Sequence, residues 1–271
     1  MTQAAAIAAS AGILIGSVLV HELAHFWAAK RVGMLCRELS LGFGRRLCSV
    51  RWGGTRLSLR LLPLGGIAHI EGMTHKTAAE LPPELRPLAY INRRTRARVF
   101  VVLAGPMANL LMFWLCLTVM AALLAPTWKW VVLAPLVGIL LAVTFVQAAV
   151  ASIKGVGDMH SVLVLPAQIQ HGWAAYGASG GRVSLIIFAF LVPAAINLSL
   201  AVMNLLPLAP LDGSHAALAL LDGIKQRRPR RGAPTPALGF DSGWPRWWAW
   251  ATSTVFLSGA ALLVVRDIWE F

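Results

Sequence analysis

Four stretches of the chain are apolar for long enough to cross a bilayer: residues 4–29, 99–125, 184–208 and 247–265. Each is near or above the roughly 18–20 residues that a spanning helix needs. A further apolar stretch covers about 130–153, between the second and third spans. Residues 39–72 follow a different rhythm. Leu47–Trp52 and Thr55–Leu61 alternate apolar and polar positions for much of their length, with Gly53-Gly54 between them. Two alternating runs joined by such a pair predict a β-hairpin. After Pro63 and the Gly65-Gly66 pair, Ile67 to Ile70 predicts a further short strand. The pattern therefore predicts an all-α polytopic membrane protein. It has four core transmembrane helices, an extra re-entrant or interfacial apolar segment within 126–183, and a small membrane-associated β-hairpin or sheet between the first two spans. A single membrane domain over residues 1–271 is the simplest division.

Composition supports this class: 58% of residues are apolar and the mean hydropathy is +0.69. A net charge of +13 raises the question of nucleic acid, but the charge is not spread as a binding face would be. Fourteen of the 24 Lys and Arg residues lie between Lys30 and Arg98, and six more between Lys225 and Arg246. Both clusters flank spans, as cytoplasmic loops do. Their natural counterparts are anionic membrane lipids, not nucleic acid. With four crossings and the N- and C-termini outside, both clusters fall in the cytoplasm. A simple fifth crossing at 130–153 would push the second cluster out. Lys129, Lys154, Trp128 and Trp130 fit a segment anchored at the membrane surface. Cys36, Cys48 and Cys116 show no paired spacing, and are expected to be reduced thiols.

The chemistry sits inside the first span. No charge occurs from Ala4 to Val20, and then His21-Glu22-Leu23-Ala24-His25 places two imidazoles and a carboxylate in the apolar run. Ionisable groups at that depth are costly and point to a function. Residues four apart share a helix face, so His21 and His25 can hold one zinc ion, with Glu22 acting on water beside it. A signal peptide fits poorly, since no basic stretch precedes the run. If the helix starts outside near Ala4, His21 lies about 25 Å deep at 1.5 Å per residue, toward the cytoplasmic side. A catalytic zinc needs a third protein ligand. Asp212 follows a late span broken by Pro207 and Pro210, and irregular backbone at membrane depth is tolerated where it lines a cavity. Asp222, in a second Leu-Asp-Gly, competes with it, but precedes Lys225 and Arg227 and reads as a residue where a helix emerges into water. Asn204 is a candidate to orient substrate or to bond a developing oxyanion. His215 is a candidate to support the ligands from behind. His69, His75, His160 and His171 lack ligand spacing and are expected in solvated loops.

Taken in order, His21-Glu22-x-x-His25, Leu41-Gly42-Phe43-Gly44, Leu62-Pro63-Leu64-Gly65-Gly66, Ala104-Gly105-Pro106-x-x-Asn109, Asn204-x-x-Pro207 and Leu211-Asp212-Gly213 resemble the site-2 protease family of intramembrane zinc metalloproteases. The resemblance runs from Ile13 to His215 and is to the bacterial, sigma-factor-activating branch. It implies His21, His25 and Asp212 as Zn2+ ligands and Glu22 as the catalytic acid and base. The strand at Gly65, Gly66 and Ile67 would meet substrate. It implies cleavage of single-span membrane proteins already trimmed by an upstream site-1-type protease, or of signal-peptide remnants, in the inner membrane. Residues 126–183 are too short and too apolar for the PDZ domains of many relatives, and Ile67 stands where a tyrosine is common. Gly155-Val156-Gly157-Asp158 and Gly177-Ala178-Ser179-Gly180 match short strings of aspartyl and serine intramembrane proteases, but neither has a partner residue in a plausible place. The alternative to a protease is a catalytically idle adaptor or chaperone for transmembrane helices, which the presence of Glu22 and all three ligands argues against.

Overall fold

The computed structural model describes residues 2–124, 182–209 and 211–227. In chain order these form helix α1 (Gln3–Arg31), strands β1 (Cys36–Trp52) and β2 (Thr55–Ile70), and a short helix α2 (His75–Ala79). Two 3-10 turns follow (Arg86–Leu88 and Tyr90–Asn92), then helices α3 (Thr95–Leu124), α4 (Arg182–Leu205) and α5 (Asp212–Arg227). Three helices are long and apolar enough to cross a membrane: α1, α3 and the Leu185–Leu205 part of α4. They coincide with three of the four spans expected from the sequence. The fourth, 247–265, lies outside the described residues, as do the apolar stretch 130–153 and the strings at Asp158 and Ser179.

The described residues fall into two compact units. One holds residues 2–13, 111–124 and 182–198. It is helical and packs small or apolar side chains, with Ala6, Phe113, Cys116, Leu117, Ile186, Ala189 and Leu198 buried. Pro193 lies within α4 there, and Asn197 donates through Nδ2 to the Pro193 carbonyl at 2.9 Å. The other unit holds residues 14–110 and 199–227, and contains every candidate ligand.

In that second unit the sheet is antiparallel and built from two long bent strands. Trp52 pairs with Thr55 across Gly53-Gly54, whose φ angles of +53° and +76° are those of the tight turn that matches strand twist. The hairpin is thus the one the alternation predicts. The sheet also reaches further back than expected. Residues 36–41 form its middle, pairing on one side with 56–59 and on the other with 66–70 (Cys36 with Ile70, Leu41 with Gly66). Among the described residues, 66–70 pairs with no other strand, so one edge of the sheet is open.

A core joins these elements: Phe26, Ala28 and Ala29 of α1, Cys36, Leu39 and Ile70 of the sheet, Tyr90, Val101 and Val102, and Ala216 of α5. Backbone bonds tie the connecting loop to it. Tyr90 N donates to Glu71 O at 2.9 Å, Ile91 N to Gly72 O at 3.0 Å and Leu35 N to Leu88 O at 3.0 Å. Burial pushes the Cys36 thiol up to about 11, so at pH 8 it is protonated and unreactive. A maleimide at that pH is expected to modify exposed Cys48 and spare Cys36; equal labelling of the two in the folded protein would contradict this packing.

Candidate metal centre

The four-residue spacing on α1 brings His21 Nε2 and His25 Nε2 to 3.2 Å from each other. Asp212 arrives from the other end of the chain. Helix α4 ends at Leu205, and a tight turn follows in which Leu208 N donates to Leu206 O and Leu211 N to Leu208 O, both at 2.8 Å. Helix α5 then starts with Asp212 as its first residue. Gly213 makes this possible: a Cβ there would lie 2.2 Å from Leu206 O, so any side chain would force the two helix ends apart. The Asp212 Oδ2 atom ends 3.2 Å from His25 Nε2 and 3.4 Å from His21 Nε2.

This triangle fits zinc on its own geometry. A tetrahedral ion with ligand bonds of about 2.0–2.1 Å spaces its ligand atoms about 3.3 Å apart. His25 Nδ1 lies 2.8 Å from the Val101 carbonyl oxygen, which can only accept, so Nδ1 carries the hydrogen. In the neutral ring Nε2 is then a lone pair aimed at the other two donors. Three electron-pair donors this close repel unless a proton or a cation lies between them. The nearness of α3 to the rings is set by Gly105, where a Cβ would lie 2.2 Å from His25 Nε2 and 2.6 Å from His21 Cε1. Pro106, next along, removes the N–H that would close on Val102 and loosens the ladder at this point.

A cavity of about 210 Å³ opens beside the triangle, lined by Glu22, Gly66, Ile67, Ala68, Tyr90 and His215 as well as the three donors. Glu22 Oε2 accepts from the Ala68 backbone N–H at 2.8 Å, which places its carboxylate against the open edge of the sheet. Gly66 lets it lie there, since a Cβ would meet Glu22 Cγ at 2.7 Å. His215 is buried and burial pushes its pKa down to about 4, so it is a neutral ring in the cavity wall. Of the other residues singled out from the sequence, Gly65 packs instead against the Phe43 ring, and Asn204, half-buried in the last turn of α4, is not among those lining the cavity.

The sequence of the chain matches the family model for peptidase family M50 over residues 9–235. The chain belongs to peptidase family M50. Among curated relatives, this family M50 chain is 44% identical over 94 residues to the zinc metalloprotease Rip1 of Mycobacterium tuberculosis, covering 35% of the chain and 23% of the relative. It is 38% identical over 107 residues to the regulator of sigma-E protease RseP of Salmonella typhimurium, covering 39% and 22%. It is 39% identical over 103 residues to the putative zinc metalloprotease PM1991 of Pasteurella multocida, covering 36% and 22%. The matched stretches thus span under a quarter of the length of these relatives.

Three readings of the M50 chain need correcting, and the first concerns His69, which lies in strand β2 opposite Glu38, not in a loop. Asp222 does not emerge into water: it is buried on α5 and paired with Arg98 Nη1 at 2.7 Å. Arg98 is likewise no loop cation, but a buried residue in the first turns of α3. The basic run Arg93–Arg98 hid this, because one buried arginine among exposed ones carries no mark in the sequence. The Val101 carbonyl was also invisible to sequence reasoning, since a backbone acceptor has no residue type. Gly105 had a signal, the Gly105-Pro106 pair inside an apolar helix.

Proposed function

We propose that this chain is an intramembrane zinc metalloprotease that cleaves peptide bonds in or near transmembrane segments. The single observation that carries the reading is the triangle of His21, His25 and Asp212 donors, with Glu22 between it and a sheet edge that pairs with no other strand among the described residues. The family M50 match over residues 9–235 supports it. His21, His25 and Asp212 hold the zinc. A zinc ion there supplies the Lewis acidity that makes water a competent nucleophile near neutral pH.

The chain's own residues do the rest. Glu22 takes the proton from the attacking water and returns it to the leaving amine, and the Ala68 N–H keeps its carboxylate turned to the site. Val101 holds the His25 ring in the tautomer that presents Nε2. A transmembrane substrate must unwind to expose its carbonyl. Residues 66–70 offer it a strand to pair with through the edge groups other than the Ala68 N–H that Glu22 occupies, because main-chain donors and acceptors on a strand edge bind extended peptide whatever its sequence. Substrates are single-span membrane proteins or signal-peptide remnants, and an upstream protease prepares the former. The protein is a multi-pass inner-membrane domain with four crossings, 247–265 being the fourth, and both basic clusters are cytoplasmic with the site toward that face. Residues 126–183 lie between core spans in place of a PDZ domain.

Purified protein incubated with a model transmembrane peptide tests this. Glu22→Gln is expected to lower cleavage by about 10²–10⁴-fold, the usual worth of a general acid and base, with zinc content unchanged. Equal cleavage by both forms would reject the protease mechanism. No cleavage by either would favour an adaptor that binds transmembrane helices.

A further inference from the structure

Helix α3 touches the centre and its support along one stripe. Thr95, Arg98, Val101 and Gly105 recur at three- and four-residue steps and so share a face. Gly105 clears the two rings and Val101 fixes one of them. Arg98 reaches Asp222 at 2.7 Å, with side chains 2% and 3% exposed. Beside that pair, a Cβ on Gly223 would lie 2.9 Å from Thr95 Cγ2, so α5 and α3 are in close contact there. The Arg98 guanidinium also lies 5.2 Å from the centre of the Tyr90 ring, and Tyr90 packs edge-on against His215 at 6.4 Å. Both rings line the cavity.

A buried ion pair gives little stability over apolar side chains of similar volume, because desolvation offsets its attraction. The best-attested use of such a pair is register, since it favours the alignment of two helices in which the buried charges meet. Asp222 is ten residues beyond Asp212 on the same helix, about 15 Å along its axis. Sliding α5 by one residue moves Asp212 about 1.5 Å along that axis. Metal–ligand distances tolerate only about 0.2 Å.

We propose that the Arg98–Asp222 pair is a positioning device. It locks α5 on α3 so that Asp212 meets the α1 histidines, and zinc retention depends on two residues that touch neither metal nor substrate. The inference rests on the metal-site reading above and extends it to the strength with which the site holds its ion. The pair reaches the centre through α5 itself and through the Tyr90 and His215 rings.

The test uses full-length protein, with zinc competed against graded chelator and the visible spectrum recorded after cobalt(II) substitution. Asp222→Asn, of equal size, is expected to weaken zinc binding by about 10–100-fold, as loss of outer support does, and to change the cobalt spectrum. The double variant Arg98→Met/Asp222→Leu keeps the branched shape at 222 and removes both buried charges, so it guards against simple misfolding. It is expected to keep the thermal transition and still to lose zinc affinity. Arg98→Lys, which keeps the charge but not the fork, is expected to fall between. Wild-type affinity and an unchanged cobalt spectrum in the folded double variant would overturn the inference while leaving the centre intact. If the wild type holds no zinc that His21→Ala removes, the metal-site reading fails first and this inference with it.

Discussion

Gly105→Ala is expected to strip zinc from the protein without unfolding it. The added methyl would sit 2.2 Å from His25 Nε2, 2.6 Å from His21 Cε1 and 2.7 Å from His25 Cε1. Those are atoms of the rings themselves, and the His25 ring is tied to Val101 four residues earlier on the same helix. It cannot turn aside without giving up that bond. Meanwhile alanine favours a helix over glycine by about 1 kcal/mol, so α3 has no local reason to melt. The site yields instead of the scaffold. Zinc affinity should fall by about 10–100-fold, and cleavage with it, while circular dichroism stays unchanged. Full zinc occupancy in the folded variant would mean that α3 leaves room for a methyl group beside the two rings.

Two aspartates of similar sequence context should fail in different ways. Asp212→Ala removes one of three donors, and zinc content is expected to drop to near zero. The apo protein should melt no lower than the wild-type apo protein, since the change also relieves crowding of lone pairs. Asp222→Ala leaves the Arg98 guanidinium buried without the carboxylate it pairs with at 2.7 Å. Breaking one half of a buried pair typically costs about 3–5 kcal/mol, a large part of a domain's stability. Its denaturation midpoint should therefore fall sharply. Metal analysis and denaturation of the two variants side by side check both statements. A stable, zinc-free Asp222→Ala with a zinc-loaded Asp212→Ala would reverse the assignment of the third donor.

The centre was legible where cost and periodicity coincide. A charged motif in an apolar span has few reasons to exist, and its four-residue spacing fixes a shared face. Asp212 could be found because Pro207 breaks the helix just ahead of it. The hairpin could be found because Gly53-Gly54 fixes its turn. The middle strand at 36–41 was missed. It follows α1 after a short link, and its alternation is brief: Leu39, Leu41 and Phe43 alternate with Ser40, Gly42 and Gly44, while Cys36-Arg37-Glu38 before them carries no strand signal. Asp222 was misread for a different reason. Position beside Lys225 and Arg227 suggested water, but solvent exposure depends on which face of α5 meets α3, and Arg98 decides that from 124 residues away. Asn204 sits in the right region, yet proximity along the chain did not bring it to the cavity wall.

Both imidazoles ride successive turns of one unbroken rod, so that half of the centre moves as a block. The carboxylate rides a second rod that begins only after the bend at 206–211. Capture and escape of an ion therefore depend on how that second rod is held, by the turn at its start and by the Arg98–Asp222 pair further along it. Stiffening that elbow should slow exchange with solution in both directions, whereas stiffening the opening helix should leave it untouched.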